Sequence, residues 1–369
     1  MIDCDVHNNW TTAEVLLPYL EKNFRDYMER GELPGPRGAL PHAHRPWFHP
    51  EGFRRQDIAP QTEDDHYHFM KDRLLDRYAI DVAILTGDDI IDLSSIANPF
   101  YASALARAHN DWMIDQWLPR DRRFKGSIVV PSQSPLDAAT EIRRVGEHPD
   151  MVQILLSSGA TRPYGDPFFH PIWEAAAEVN LPVAIHLGSE GGINNAQMIA
   201  AGPSMFYWET HALFCQVAMT HVASTIAQGI FEKWPNMYFI VIECGIAWLP
   251  AILWRLDSNY QALRKETPWL KRLPSEYARD HIRMTTQPLE APKNRQHLWN
   301  LLEAIDGQHT LMFASDYPHW DFDDPTKLRL PPAWQENIFD TNARQVYARL
   351  ATRQPEAAST QRHQIAAEG

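Results

Sequence analysis

The sequence has little cysteine and no excess of positive charge. Its three cysteines, Cys4, Cys215 and Cys244, lie far apart and form no CxxC pair. A sparse, odd-numbered set argues against a disulfide framework or a thiolate zinc site, so we expect reduced thiols in a cytoplasmic protein. With 34 Lys and Arg against 47 Asp and Glu, the formal net charge is −13. This balance disfavours a nucleic-acid partner, which would require a basic surface.

Signals for secretion and for membrane insertion are also missing. The N-terminus has neither a basic region nor an apolar run of the signal-peptide kind. Residues 211–231 contain no Asp, Glu, Lys or Arg, but they include two His, two Gln and three Ser or Thr. That content is too polar for a typical membrane span. We therefore expect no membrane partner and interpret this segment as one long helix, buried on more than one side.

Apolar runs alternate with helical patterns along the chain. Because strand-then-helix repetition is typical of parallel strands joined by crossover helices, eight runs predict a closed (β/α)8 TIM barrel of the α/β class over residues 1–351. The predicted strands are Ile2–His7, Ala79–Leu85, Lys125–Val130, Met151–Leu156, Leu181–Leu187, Met237–Glu243, Ile282–Thr286 and Thr310–Ser315.

Three segments fall outside a minimal barrel. Residues 30–60 are rich in proline and predict an irregular insertion after strand one, which we expect to act as a lid or an oligomer arm. Residues 188–208 follow strand five, are rich in Gly and Asn, and predict an active-site loop. Residues 352–369 are polar and predict a flexible C-terminal tail.

Candidate metal ligands end several predicted strands. Asp5 and His7 stand at i and i+2, so on a strand both side chains point the same way. His186, Glu243 and Asp316 end strands five, six and eight. Taken singly, these positions also suit a fraying terminus, a core histidine or a turn aspartate.

Taken together, the candidate ligands favour one site. The C-terminal ends of barrel strands meet at one mouth, so these side chains should converge there. Asp5, His7, His186 and Asp316 would give an N/O site for one divalent ion, for which we expect zinc, with manganese or iron as alternatives.

Several motifs, in this order along the chain, resemble those of the amidohydrolase superfamily. The resemblance is to its amidohydrolase-2 branch, whose members are similar to aminocarboxymuconate-semialdehyde decarboxylase. The matching motifs are Ile2-Asp3-Cys4-Asp5-Val6-His7, Ala184-Ile185-His186, Glu243-Cys244-Gly245-Ile246-Ala247-Trp248-Leu249-Pro250 and Ser315-Asp316-Tyr317-Pro318-His319-Trp320. The resemblance implies that a first-strand pair, a fifth-strand His and an eighth-strand Asp hold one divalent metal.

Two positions depart from the pattern of that branch. Asp5 stands where its members have His or Glu, which keeps a carboxylate but shortens it. Glu243 stands where the decarboxylases of the branch have a strand-six His, and an anionic Glu243 would repel a substrate carboxylate. This second departure moves our expectation toward hydrolysis, with Asp316 or Glu243 as the catalytic proton carrier.

Four other side chains are candidates for binding the substrate. The resemblance suggests an arginine in the insertion, where Arg54 and the adjacent Arg55 are both present. His211 begins the long segment after strand five, Trp248 lies in the strand-six motif, and His319 follows Asp316 by three residues. Each of these residues could equally have a structural role.

The leading hypothesis is a metal-dependent hydrolase that uses an activated water on a small cyclic or aromatic carbonyl compound. The first alternative is a non-oxidative aromatic decarboxylase at the same metal site. The second, from another class, is a catalytically inactive binding or scaffold protein. We expect a small-molecule substrate and assembly as a homodimer or a higher homo-oligomer.

Overall fold

A computed structural model describes residues 1–29, 62–189, 206–319 and 321–350. The proposed lid or oligomer arm at 30–60, most of the 188–208 loop and the 352–369 tail lie outside the described residues. The strands are β1 (Ile2–Val6), β2 (Val82–Leu85), β3 (Phe124–Val129), β4 (Met151–Ser157), β5 (Val183–His186), β6 (Phe239–Ile242), β7 (Ile282–Thr285) and β8 (Leu311–Met312).

Helices stand between consecutive strands, as the alternating sequence pattern predicts. They are α1 (Lys22–Glu29), α2 (Glu63–Met70), α3 (Pro99–Trp112), α4 (Pro135–Val145), α5 (His170–Glu178), α6 (Tyr207–Leu213), α7 (Cys215–Ala227), α8 (Ile230–Lys233), α9 (Leu249–Leu263), α10 (Pro274–His281), α11 (Arg295–Ala304), α12 (Gly307–Thr310) and α13 (Asn342–Val346). None of the described helices is long and apolar enough to cross a membrane.

The eight strands form one parallel sheet in sequence order, which confirms the predicted barrel. The sheet closes where β1 meets the chain after β8. There Val6 forms an isolated parallel bridge with Tyr317, and the Cys4 amide donates to the Phe313 carbonyl at 2.9 Å. Because helices and the barrel interior cover both faces, nearly every strand residue is buried, and most strands are predominantly apolar runs. β1 is the exception, since Asp3 and Asp5 alternate with its apolar residues.

Several strand ends differ from the prediction. The second strand begins at Val82 because Ala79, the predicted start, lies in a turn with φ 52°. The sixth strand stops at Ile242, one residue before Glu243, and the eighth is only Leu311–Met312. Hydrophobic runs extend past regular pairing where the chain bends toward the barrel mouth, so apolar character alone overestimates strand length.

The charge-free segment 211–231 is not one long helix, and that prediction is wrong. It spans the end of α6, all of α7 and the start of α8. Gly229, with φ 75°, separates α7 from α8, and an added Cβ would lie 2.6 Å from the Trp269 ring. Left-handed backbone and close packing both require glycine there.

A buried carboxylate holds the closure of the barrel together. Asp3 is fully buried in β1, and its Oδ1 accepts hydrogen bonds from the Ser315 amide at 2.9 Å and the Asp5 amide at 3.3 Å. Burial raises the pKa of Asp3 to about 7, although the Ser315 hydrogen bonds oppose the rise. Asp3 thus links β1 to the segment that carries Asp316.

We predict that Asp3→Ala lowers the free energy of unfolding by about 2 kcal/mol, because two buried amides lose their acceptor. Asp3→Asn retains an acceptor oxygen and serves as the matched control, expected to lie near wild type. Urea unfolding followed by circular dichroism measures both variants. Equal stability of the Ala and Asn variants would rule out this role for Asp3.

Candidate metal centre

The predicted ligands come from four places in the chain and lie at the mouth of the barrel. Asp5 and His7 stand at the end of β1, and His186 is the last residue of β5. Glu243 directly follows β6, and Asp316 lies in the segment shortly after β8. Both have left-handed backbone conformations, with φ of 56° and 60°. Such conformations are costly for residues other than glycine and cluster at functional sites.

The side chains of this group approach one another closely. His186 Nε2 lies 3.3 Å from Asp5 Oδ2 and 3.3 Å from Glu243 Oε2. His7 Nε2 lies 2.8 Å from Asp316 Oδ1 and 3.6 Å from Asp5 Oδ1. One ligand atom each from Asp5, His7, His186 and Glu243 falls within 4.8 Å of all the others, and every member is buried.

The two histidines have the tautomer that a metal ligand needs. Nδ1 of His7 contacts the Gly87 carbonyl, and Nδ1 of His186 lies 2.8 Å from the Leu187 carbonyl. A carbonyl only accepts, so each Nδ1 carries the hydrogen, and in the neutral imidazole each Nε2 has its lone pair available for a metal. Backbone contacts of this kind commonly orient metal-binding histidines.

Unsatisfied buried atoms support the same assignment. Among the described residues, Nε2 of His7 and His186, Oδ2 of Asp5 and both carboxylate oxygens of Asp316 make no hydrogen bond of good geometry, and their close contacts are ion pairs. Thr86 Oγ1 donates to Asp5 Oδ1 at 2.7 Å, which leaves Oδ2 facing the cluster. Buried N and O atoms without hydrogen bonds at one end of the barrel fit a divalent cation.

Several acidic side chains lie close together at the barrel mouth, and burial and their neighbours shift their pKa values. Burial and the Asp316 carboxylate hold the pKa of Glu243 well above its usual range. Burial and Asp321 do the same to the pKa of Asp316. Burial opposes ionisation of Asp5, yet His186 and His7 lower its pKa. The cluster therefore needs protons or cations to offset its charge.

The substrate-binding candidates have different positions. His319 Nδ1 lies 2.6 Å from Asp316 Oδ1, and its ring stacks on His7 at 4.0 Å. His211 Nε2 lies 3.1 Å from Asp321 Oδ2, beside Glu243. These two histidines therefore reach the cluster, while their roles stay predictions.

Of the other two candidates, only Trp248 belongs to the described residues. Trp248 is buried, and its indole donates to the carbonyls of Cys244 at 2.9 Å and Gly245 at 3.0 Å, so it braces the loop after β6. Arg54 lies outside the described residues, and both assignments to substrate binding stay predictions.

The sequence did not single out several residues that support the site. Glu290 accepts from the amides of Ile246 and Ala247, each at 3.1 Å, and so fixes the loop after Glu243. An added Cβ on Gly245, whose φ is 66°, would lie 2.7 Å from Glu290 Oε1. The signal for Thr86 was its place directly after β2. Glu290 ends a segment, Ile282–Glu290, that also resembles the family, but nothing in the sequence pairs it with the loop after β6.

Comparison with known proteins assigns this chain to a family. A family model described as Amidohydrolase matches residues 2–349. A gamma-resorcylate decarboxylase from Polaromonas sp. (strain JS666 / ATCC BAA-500) is 26% identical over 266 residues, which is 68% of this chain and 77% of the relative.

Solved structures support the fold. A dihydroxybenzoic acid decarboxylase from Polaromonas sp. JS666, with bound manganese and the inhibitor 2-nitroresorcinol, superposes with a TM-score of 0.64 at 20% identity, covering 94% of this chain and 97% of that one. A 5-carboxyvanillate decarboxylase from Novosphingobium aromaticivorans DSM 12444, complexed with manganese and 4-hydroxy-3-methoxy-5-nitrobenzoic acid, gives 0.65 at 20% identity, with 94% and 95% coverage. At this identity, the similarity establishes the barrel fold alone.

We predict that His186→Ala and Asp316→Asn each lose bound divalent metal, because each removes one of the few donors of the centre. Mass-spectrometric metal analysis of the purified variants measures the loss, and circular dichroism checks the fold. His297→Ala, at an exposed position on α11, is the matched control and should retain metal. Wild-type metal content in either site variant would refute the assignment.

Proposed function

This chain belongs to the amidohydrolase family, and from that premise we propose that it is a metal-dependent, non-oxidative decarboxylase of a hydroxylated aromatic acid. The main support is that the curated relative matched along 68% of the chain is named gamma-resorcylate decarboxylase. The two solved structures that share the barrel are also named decarboxylases. The donor set at the barrel mouth supports the same chemistry.

The comparisons favour our sequence-based alternative over our leading hypothesis. Hydrolysis was preferred because an anionic Glu243 would repel a substrate carboxylate, and no relative described above is named a hydrolase. Zinc was the expected metal, whereas the two solved structures contain manganese. We therefore propose manganese as the first ion to test, with zinc and iron retained as alternatives.

In this proposal Asp5, His7, His186 and Asp316 hold the cation. When bound, the ion supplies positive charge that attracts the substrate carboxylate and a neighbouring ring oxygen. His7 and His186 are fixed for this task by their carbonyl contacts, and Asp5 by Thr86. Burial of the whole cluster keeps water away and strengthens these charge interactions.

Asp316 and His319 form the proposed route for the proton. The bond between the ring and the carboxylate breaks, its electron pair stays on the ring carbon, and carbon dioxide leaves. Asp316, which lies at the barrel mouth beside His7 and His319, gives that carbon a proton. His319, 2.6 Å from Asp316 Oδ1, returns a proton from solvent for the next cycle.

The other expectations from the sequence carry over as proposals. They are a small-molecule substrate, assembly as a homodimer or larger oligomer, and a cytoplasmic location. An inactive scaffold is the remaining alternative, and the absence of both bound metal and turnover would favour it.

We predict that the manganese-loaded protein converts 2,6-dihydroxybenzoate to resorcinol and carbon dioxide. In deuterium oxide the product should carry one deuterium at the carbon that lost the carboxylate, because the ring takes one solvent proton. Gas release and product mass measure this, with Asp316→Asn as the inactive control. A panel of hydroxybenzoates that gives no carbon dioxide, or a product containing a new water oxygen without carbon dioxide release, would contradict decarboxylation.

We predict that His319→Gln lowers kcat about 10²- to 10⁴-fold, the usual contribution of a proton-transferring side chain. Bound metal should stay at the wild-type level because the four proposed ligands are intact. Steady-state kinetics and metal analysis on one preparation separate the two effects. Wild-type kcat would remove His319 from the proton route, and loss of metal would make it a ligand instead.

A further inference from the structure

A cavity of about 570 Å³ opens at the end of the barrel opposite the candidate metal centre. Its lining includes Tyr238, the residue before β6, and His281, the last residue of α10 and the one before β7. The strands of the barrel run parallel, so residues that directly precede them lie on the face away from the mouth. The volume lies within the range of small-molecule sites, about 300–1,000 Å³. The cavity is therefore large enough for a ligand and separate from the centre at the mouth.

Most side chains that line this cavity are polar. Of the ten lining residues, only Phe231 and Pro235 lack a polar side-chain atom. The chain between α9 and α10 contributes Lys271 and Arg272, while α8 and α10 each contribute a carboxylate. Polar groups that lose water must regain hydrogen bonds, so an apolar molecule would bind poorly here. The lining therefore favours a charged or hydroxylated ligand.

The carboxylates of the lining do not offset all of the positive charge beside them. Glu232 offsets Lys271, whose Nζ lies 2.5 Å from Glu232 Oε2. Asp280 is shared between two arginines, since Arg272 Nη1 contacts its Oδ2 and Arg279 Nε lies 3.1 Å from its Oδ1. One carboxylate thus faces two guanidinium groups, which leaves one positive charge without compensation.

A buried arginine contributes a second uncompensated charge. Arg283, on β7, is 7% exposed, and its guanidinium carbon lies 4.9 Å from the centre of the Tyr238 ring. Among the described residues its Nη1 donates to the carbonyls of Arg279 and Ile282, and its Nε has no hydrogen-bond partner. Arginine stays charged in proteins, and carbonyl contacts do not neutralise it.

The described residues that line the cavity or contact its lining therefore have an excess of positive charge. They comprise four cations against two carboxylates, in a chain whose formal net charge is −13. A local excess of this sign raises the concentration of anions at the site. The balance favours a ligand with two negative charges.

His281 supplies an acceptor for a hydroxyl group of the ligand. Its ring stacks on Phe231 at a centroid distance of 4.5 Å, and its Nδ1 lies 3.0 Å from the Met237 carbonyl. Because a carbonyl can only accept, Nδ1 carries the hydrogen, and burial lowers the pKa of His281, which favours the neutral ring. Nε2 then keeps a lone pair on a side chain that lines the cavity.

We propose that this cavity binds a small hydroxylated phosphate monoester, with Lys271 and Arg272 holding the phosphate group and His281 accepting from a hydroxyl. A phosphate monoester carries a charge of about −1.5 to −2 at pH 7, which matches the local positive excess. Both cationic side chains have more N–H donors than their carboxylate partners use, so they can also donate to phosphate oxygens. The inference goes beyond the proposed decarboxylation, because the cavity contains none of the proposed metal ligands.

The test titrates manganese-loaded, full-length protein with glycerol 3-phosphate in a calorimeter. Wild type should show a binding event that Lys271→Gln and Arg272→Gln each weaken about tenfold or more, as expected for loss of a charge-assisted hydrogen bond. Glycerol, which lacks the phosphate, should not bind. Crystals of wild type grown with glycerol 3-phosphate should show its phosphate beside Lys271 and Arg272, which tests the site without any variant.

Lys265→Gln is the matched control, since Lys265 is an exposed cation between α9 and α10 that does not line the cavity. It should bind glycerol 3-phosphate as wild type does, and circular dichroism should show all variants folded. No binding in wild type, wild-type affinity in both site variants, or an equal loss in Lys265→Gln would overturn the proposal. A phosphate found only at the barrel mouth in the crystals, or tighter binding of succinate than of glycerol 3-phosphate, would also contradict it.

Discussion

The mouth of this barrel depends on compensation of buried negative charge. Asp5, Glu243 and Asp316 are nearly or fully buried in two groups of side chains that share His7 and Glu243. Moving such carboxylates out of water is expensive unless protons, cations or hydrogen bonds compensate them. The raised pKa values of Glu243 and Asp316 express this cost in the absence of metal charge. A divalent ion offers the compensation that the fold itself lacks.

Hydrogen bonds at the closure of the barrel hold the segments that carry Asp5 and Asp316 next to each other. Asp3 joins β1 to the Ser315 amide, and the Asp316 amide donates to the Asp5 carbonyl at 3.2 Å. The first and last strands therefore hold their ligands in fixed relation across most of the chain length. On the opposite side, Glu290 and Trp248 fix the loop after Glu243. Hydrogen bonds that involve the backbone thus hold the segments that carry the ligands.

Much of this arrangement could be predicted because it depends on local pattern. The alternation of apolar runs and helices gave the barrel, and polar residues at strand ends gave Asp5, His7, His186, Glu243 and Asp316. What could not be predicted depends on contacts between distant segments. Nothing near Asp321 in the sequence indicates His211, and nothing near Glu290 indicates the loop after β6. The preference for hydrolysis rested on the charge of Glu243, which depends on neighbours that sequence spacing does not reveal.

We propose above all that buried donors from β1, β5 and the segment after β8 hold one common cation. A crystal structure of manganese-loaded protein, with anomalous scattering recorded near the manganese edge, tests it directly. The account predicts an anomalous peak about 2.0–2.2 Å from Nε2 of His7 and of His186, and from carboxylate oxygens of Asp5 and Asp316. An empty barrel mouth in fully loaded crystals, or a peak bound by other residues, would contradict it.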